Sequence, residues 1–304
     1  MKKIIFLIPI LFVFLIQAQI PQVSSGSIKR IENFTSRFVD ARNVDIWLPD
    51  AYSDKEKYAV LYMQDGQMLY DAATTWNKQA WEVDETAGKL IAEGKTQKFI
   101  VVGVWNNGKM RHPEYFPQKP FEAMTKTEHD TVTAVLQRMG RVKDIFKPIS
   151  DLYLEFLVKE LKPYIDTHFA TKKDKNNTFI AGSSMGGLIS MYAICEYPKV
   201  FGGAICMSTH WPGSIQKENN PVPDAFLTYM KTHLPKAKRH KIYFDYGDQT
   251  LDAMYPPLQK KVDEMMQNKG FSEKNWKTIF AAGDDHSEKS WRKRLGVALV
   301  FLLK

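Results

Sequence analysis

Seven short runs rich in Val, Ile, Phe and Tyr alternate with longer helical patterns along this chain, and that alternation constrains the fold most. The runs are Val44–Leu48, Ala59–Met63, Phe99–Trp105, Thr178–Ala181, Gly203–Met207, Lys241–Tyr246 and Lys277–Ala281, bounded by Gly, Pro, Asp or Asn. Between them, Ser150-Asp151 opens a helical pattern in the manner of an N-cap, with Leu152, Phe156, Leu157, Leu161 and Ile165 on one apolar face. Further helical patterns cover Gly187–Glu196, Leu258–Asn268 and Ser287–Leu303, the last with Trp291, Leu295, Ala298, Leu299 and Leu302 on one stripe. Strands alternating with helices predict an α/β architecture, a mostly parallel central sheet with helices on both faces. Such sheets bind ligands outside the carboxyl ends of their strands. Chemistry is therefore expected just after Met63, Trp105, Ala181, Met207, Tyr246 and Ala281. The segment 106–147 is long for a connection and is expected to form an insertion or lid over that edge.

The 304 residues are 44% apolar and 25% charged, which excludes a collagen, a disulfide-stapled mini-protein and a disordered chain. With no internal repeat or Gly/Ser-rich linker, residues 19–304 are expected to form one domain. Met1-Lys2-Lys3, the apolar run Ile4–Ile16 and the small residue Ala18 have the layout of a secretory signal peptide, expected to be cleaved after residue 18. A secreted or periplasmic protein follows, with no stable membrane insertion after cleavage. The formal charge is +8, or +6 without Lys2 and Lys3. That suits acidic partners without naming one, and Arg292, Lys293 and Arg294 read as a solvated helix face, not a nucleic-acid patch. The two cysteines, Cys195 and Cys206, are expected as buried free thiols. There is no Cys–His metal spacing, no His-Glu-x-x-His helix and no Walker phosphate loop, so neither metal nor cofactor is expected.

After the run Thr178–Ala181 comes Gly182-Ser183-Ser184-Met185-Gly186-Gly187, followed by a helical pattern. Gly182-x-Ser184-x-Gly186 between a strand and a helix matches the nucleophile elbow, which pushes one serine hydroxyl outward. A serine hydroxyl needs a base, and histidine is the usual one. Of the seven histidines, His286 lies directly after the last run, and His210 beside Trp211 reads as pocket wall. The imidazole in turn needs a carboxylate, and chain order in this fold is Ser, acid, His. Asp248 and Asp252 both lie in the matching interval, and spacing does not choose between them. The backbone N–H of Met185 is expected as one oxyanion donor. Gly66 lets the chain turn so that the N–H of Gln67 supplies the second.

The stretches Tyr62–Gln67, Trp105–Gly108, Glu114–Pro117, Gly182–Gly187, Asp245–Gly247 with Leu251-Asp252, and Gly283–His286 with Trp291-Arg292 resemble the putative-esterase family of α/β-hydrolases. That family includes feruloyl and acetylxylan esterases, ferric-enterobactin esterases, human esterase D and the mycolyltransferases. The resemblance implies an α/β-hydrolase fold and a serine esterase with Ser184, His286 and Asp252 as triad, and it favours Gln67 in the oxyanion hole. One departure is the early loop, Asp-Gly-Gln where many relatives have His-Gly-x-Gly-Gly. The expected substrate is a small-molecule or polysaccharide ester, with acetyl or feruloyl groups on carbohydrate first. Trp105, Tyr115 and Trp211 are expected to stack on sugars or phenolic rings. A siderophore trilactone is the alternative, its acidic catecholates met by Lys109, Arg111 and His112. An acyltransferase would use the same triad.

Overall fold

The computed structural model describes residues 19–216 and 218–304; the expected signal segment, residues 1–18, lies outside the described residues. Eight strands form one sheet: β1 (Ser27–Phe34), β2 (Arg42–Leu48), β3 (Ala59–Gln64), β4 (Phe99–Val104), β5 (Thr178–Ser183), β6 (Gly203–Met207), β7 (Lys241–Tyr246) and β8 (Trp276–Phe280). Their spatial order is β1-β2-β4-β3-β5-β6-β7-β8. From β4 to β8 every neighbouring pair is parallel, while β1–β2 and β2–β4 are antiparallel. The mostly parallel sheet agrees with the alternation in the sequence. β1 does not: its sequence, SIKRIENF, has no fully buried residue, as suits a charged edge strand.

Successive strand residues face opposite layers. Val60, Tyr62, Ile100, Val102 and Ile180 point into one core, with Leu188 and Met191 of the Met185–Glu196 helix, Phe226 of the Val222–His233 helix and Val262 of the Pro256–Asn268 helix. Leu61, Met63, Val101, Phe179 and Ala181 point into the other, with Val83 and Leu90 from the Val83–Ala92 helix and Leu295 and Leu299 from the Glu288–Leu303 helix. Truncating one of the Leu, Ile or Met side chains among these to Ala costs about 2–5 kcal/mol. Every residue of the Met185–Glu196 helix up to Cys195 is buried, which explains why this helix is apolar all round. Cys195 and Cys206 are buried free thiols.

The segment 106–147 carries three helices, Arg111–Tyr115, Gln118–Glu122 and Lys126–Arg138. Tyr115, Phe116, Phe121, Leu136 and Phe146 from this segment join the core on the side of the Met185–Glu196 helix. A buried bidentate pair, Arg42 to Glu114 at 2.6 and 2.8 Å, ties it to β2.

Two details of the next helix differ from expectation. Ser150 is its first residue, and the Ser150 hydroxyl accepts from the N–H of Gln118 at 2.9 Å instead of capping its own helix. The helix runs Ser150–Glu155, turns π-helical over Phe156–Leu161 and ends with Lys162–His168. The π stretch inserts an extra residue and rotates the buried face. Leu152 is exposed, while Tyr153 and Leu154 are buried.

Candidate active site

The elbow is built by close backbone approach. A Cβ on Gly182 would lie 2.6 Å from the Gly186 carbonyl group, and one on Gly186 would lie 3.1 Å from Gln64 Cβ. Between them Ser184 takes φ +57° and ψ −124°, a conformation that L residues rarely adopt. Such strain costs about 1–3 kcal/mol and persists only where neighbours hold it. Here the Ser184 N–H donates to Met207 O at 3.0 Å, and the Ser184 carbonyl accepts from the His210 N–H at 3.1 Å. The next helix begins at Met185, so it presents its unsatisfied N-terminal amides beside the serine.

His286 lies in the loop after β8, and its Nδ1 sits 2.6 Å from Asp252 Oδ1. An ionised carboxylate can only accept, so Nδ1 carries the proton and Nε2 is left as the acceptor a general base requires. Asp252 lies in a 3₁₀ turn, Thr250–Met254, after β7 and is fully buried. Its Oδ2 accepts from the Gly247 N–H at 2.7 Å and from the Ser208 hydroxyl at 2.6 Å. Asp248 does a different job. It is half-buried and accepts from Gln249 Nε2 and the Gly283 N–H, which hold its carboxyl below the usual range and brace the loop leading to His286. Of the two candidate aspartates, only Asp252 reaches the imidazole.

The early loop carries Asp65 at φ +56°, followed by a 3₁₀ turn over Gly66–Met68. A Cβ on Gly66 would lie 2.5 Å from the Gly103 carbonyl, so only glycine fits. The turn is locked from the 106–147 segment. Arg111 pairs bidentately with Asp65, both bonds 2.7 Å, and Asn106 Nδ2 donates to Asp65 Oδ1 at 2.7 Å. The Asp65 N–H donates to the Tyr115 hydroxyl at 3.3 Å, and the Asn106 N–H to Gln67 Oε1 at 3.2 Å. Burial works against the charge of Arg111, but Asp65 outweighs it and holds the guanidinium above its usual value.

Ser184 opens onto two cavities. One, of about 480 Å³, brings together Ser184, His286, Gln67, Trp76, Trp81 and Trp291. The other, of about 370 Å³, places Ser184 with Met185, His210, Leu251, Lys109 and Arg141. Arg111 lines both. The Tyr255 hydroxyl lies 2.9 Å from His210 Nδ1 and 3.5 Å from His286 Nδ1, and it also interacts with the Ser184 side chain. Burial, then the charge of His286, pushes His210 well below the usual imidazole range, so it stands neutral in the wall.

Five expectations are corrected. Trp211 lines neither cavity: it is buried beside Phe226 and Phe244, and its Nε1 donates to Gln259. Trp105 stands behind the Gly66 turn, its Nε1 donating to Asp45 and Arg30 stacked 4.7 Å from its ring. Tyr115 is buried under Asp65 instead of facing the cleft. Of the three basic residues, Arg111 is neutralised by Asp65 and His112 is pushed down to about 3 by burial and by Arg111 and Arg141, which leaves Lys109 and adds Arg141. Arg294 belongs to no solvated face either: it is buried and ion-paired with Asp245 and Asp284. Trp76, Trp81, Arg141, Ser208 and Tyr255 are the site residues the sequence reading missed. Among the described residues, no group of three or more His, Cys, Asp or Glu side chains is placed to hold a metal ion.

The family model described as "Putative esterase" matches residues 35–137 and 144–302. The chain is 26% identical over 289 residues to an endo-1,4-beta-xylanase/feruloyl esterase of Xylanibacter ruminicola, covering 90% of this chain but 31% of that protein. Among solved structures, the ferulic acid esterase AmCE1/Fae1A of Anaeromyces mucronatus matches with TM-score 0.60 and 18% identity, covering 93% of this chain and 92% of that one. The enterobactin esterase FES of Shigella flexneri matches with TM-score 0.65 and 16% identity, covering 93% and 60%. These likenesses show an α/β-hydrolase fold.

Proposed function

This chain is a member of the putative-esterase family, and from that premise we propose an exported serine esterase that works through an acyl-enzyme. Ser184 attacks the ester carbonyl while His286 Nε2 takes its proton, with Asp252 fixing the tautomer and stabilising the imidazolium as it forms. The N–H groups of Gln67 and Met185 receive the oxyanion, an interaction worth about two to three orders of magnitude in rate per donor. His286 then protonates the leaving alcohol, and the same base activates water to release the acyl group. No cofactor enters this scheme.

The observation that carries the reading is the Asp252–His286 pair at 2.6 Å, which leaves Nε2 as acceptor in the cavity that holds the strained Ser184. Export rests on the charged and apolar pattern of the first 18 residues. Acetyl or feruloyl esters on carbohydrate suit the tryptophan-lined cavity, where Trp76 is 84% exposed. Replacing Ser184 with Ala tests the mechanism. Turnover of p-nitrophenyl acetate is expected to fall at least about 10⁴-fold, and wild-type turnover overturns it.

One observation favours a second substrate. Lys109 and Arg141 are exposed in the smaller cavity, which suits an anionic ester such as a catecholate trilactone. Comparing acetylated xylan, methyl ferulate and a ferric siderophore separates the two, and adding an alcohol acceptor shows whether water or alcohol takes the acyl group.

A further inference from the structure

The buried side of Asp252 carries an arrangement that neither the triad nor the oxyanion hole uses. Ser208 follows β6 and takes φ +40°, strained for a residue with a side chain. The Ser208 N–H donates to Asp245 O at 2.8 Å and lies 3.3 Å from Asp245 Oδ1. The Ser208 hydroxyl accepts two bonds, from Trp291 Nε1 and Arg294 Nη2, each 3.0 Å long. Trp and Arg nitrogens are donors only, so both lone pairs of the hydroxyl are taken by donors. The hydroxyl proton has one acceptor left, Asp252 Oδ2 at 2.6 Å. Arg294 also donates to Asp284 at 2.7 Å, two residues before His286, and to Asp245 at 3.1 Å.

Resting on the reading of Asp252 as the triad acid, we infer that Ser208 is a positioning residue that transmits the charge of Arg294 to Asp252 and so sets the basicity of His286. The polarised hydroxyl binds Asp252 more strongly when the carboxylate is bare than when an imidazolium shares its charge. The relay therefore favours neutral His286, the form that accepts the serine proton. Arg294 acts in the same direction, since a buried cation behind Asp252 opposes a second cation in front of it.

Other groups face His286. Asp252 and Tyr255 approach from the 250–255 segment, and His210 lies across Ser184. Asp285 is its neighbour in the loop, and Glu288, Asp65, Arg111 and Arg141 share the larger cavity with it. Asp245, Asp284 and Arg294 stand behind. None of these replaces the hydroxyl on Asp252 Oδ2, which retains only the Gly247 N–H when Ser208 is lost.

The test is the pH profile of kcat/KM on p-nitrophenyl acetate. Ser208→Ala keeps the Arg294 ion pairs and removes only the relay. Its acidic limb is expected to move up by about 0.5–1 pH unit, the shift given by losing one charge-assisted hydrogen bond partly felt at the imidazole. Arg294→Lys, which keeps the charge, leaves the limb within about 0.2 unit of wild type, whereas Arg294→Gln moves it up. An acidic limb at the wild-type position in a folded Ser208→Ala enzyme overturns the inference. Fluorophosphonate labelling rates against pH give the same comparison where turnover is too low to follow. If Ser184→Ala keeps wild-type turnover, the esterase mechanism itself fails. If Ser184→Ala is inactive and the Ser208→Ala limb does not move, only the relay fails.

Discussion

The two sides of the His286 imidazole are built on different principles. Behind it, Asp252 is fully buried and both its oxygens are occupied, with Ser208, Trp291, Arg294 and Asp245 closing the network. In front, the cleft holds an exposed Trp76, Lys109 and Arg141, and no ion pair neutralises either cation among the described residues. A carboxylate with both oxygens hydrogen-bonded is oriented before substrate arrives and has little to reorganise during the proton transfer. Side chains left open to water keep their binding energy for the substrate. Under the proposed mechanism, chemistry resides in the buried half of the site and selectivity in the exposed half.

Substitution of the acids breaks or sharpens this contrast most strongly. Asp252→Asn is expected to lower kcat about 10³–10⁴-fold, while Asp248→Asn, on the surface, stays within about threefold. Steady-state kinetics on one chromogenic ester reads both, and equal losses would end the distinction between the two aspartates. On the open side, Arg141→Gln is expected to raise KM for an ester bearing a carboxylate or catecholate about fivefold, as one charge-assisted contact near the surface is lost. A neutral acetate ester should be unaffected, and a matching change in both would place Arg141 outside substrate recognition.

The smallest effect concerns stability. Folded His112 is pushed down to about 3, with its ring packed between Phe116 and Phe146 and its Nε2 buried without a partner. Below about pH 6.5 the unfolded chain binds a proton there that the folded chain refuses. Its contribution is therefore complete above pH 6.5 and declines as pH falls toward 3. Melting temperatures of wild type and His112→Phe between pH 7.5 and 4 should diverge in acid, with the variant losing less; parallel curves would contradict this.

Much of the candidate site's layout was legible because it depends on backbone geometry that leaves a signature in residue type. Gly182 and Gly186 must be glycines for the elbow to close, and Gly66 for the early turn. The acid, however, was not fixed by spacing, since Asp248 and Asp252 lie on one loop and differ only in which way the 3₁₀ turn carries them. Arg294 was misread because a charged triplet on a helix usually faces water, and nothing local announces Asp245 and Asp284 as its partners. Trp211 and Trp105 were misread for a related reason: an aromatic beside a catalytic loop serves packing or binding equally well, and tertiary contacts decide. β1 went unseen because an edge strand buries too little to show a clean alternation.

The central claim is that Ser184 forms a covalent acyl-enzyme, and a fluorophosphonate probe followed by intact mass and peptide mapping tests it most directly. One equivalent of label on the peptide containing Ser184, lost in Ser184→Ala and strongly slowed in Asp252→Asn, is the expected result. Wild-type labelling of the Ser184→Ala protein, or label on another residue, would contradict it.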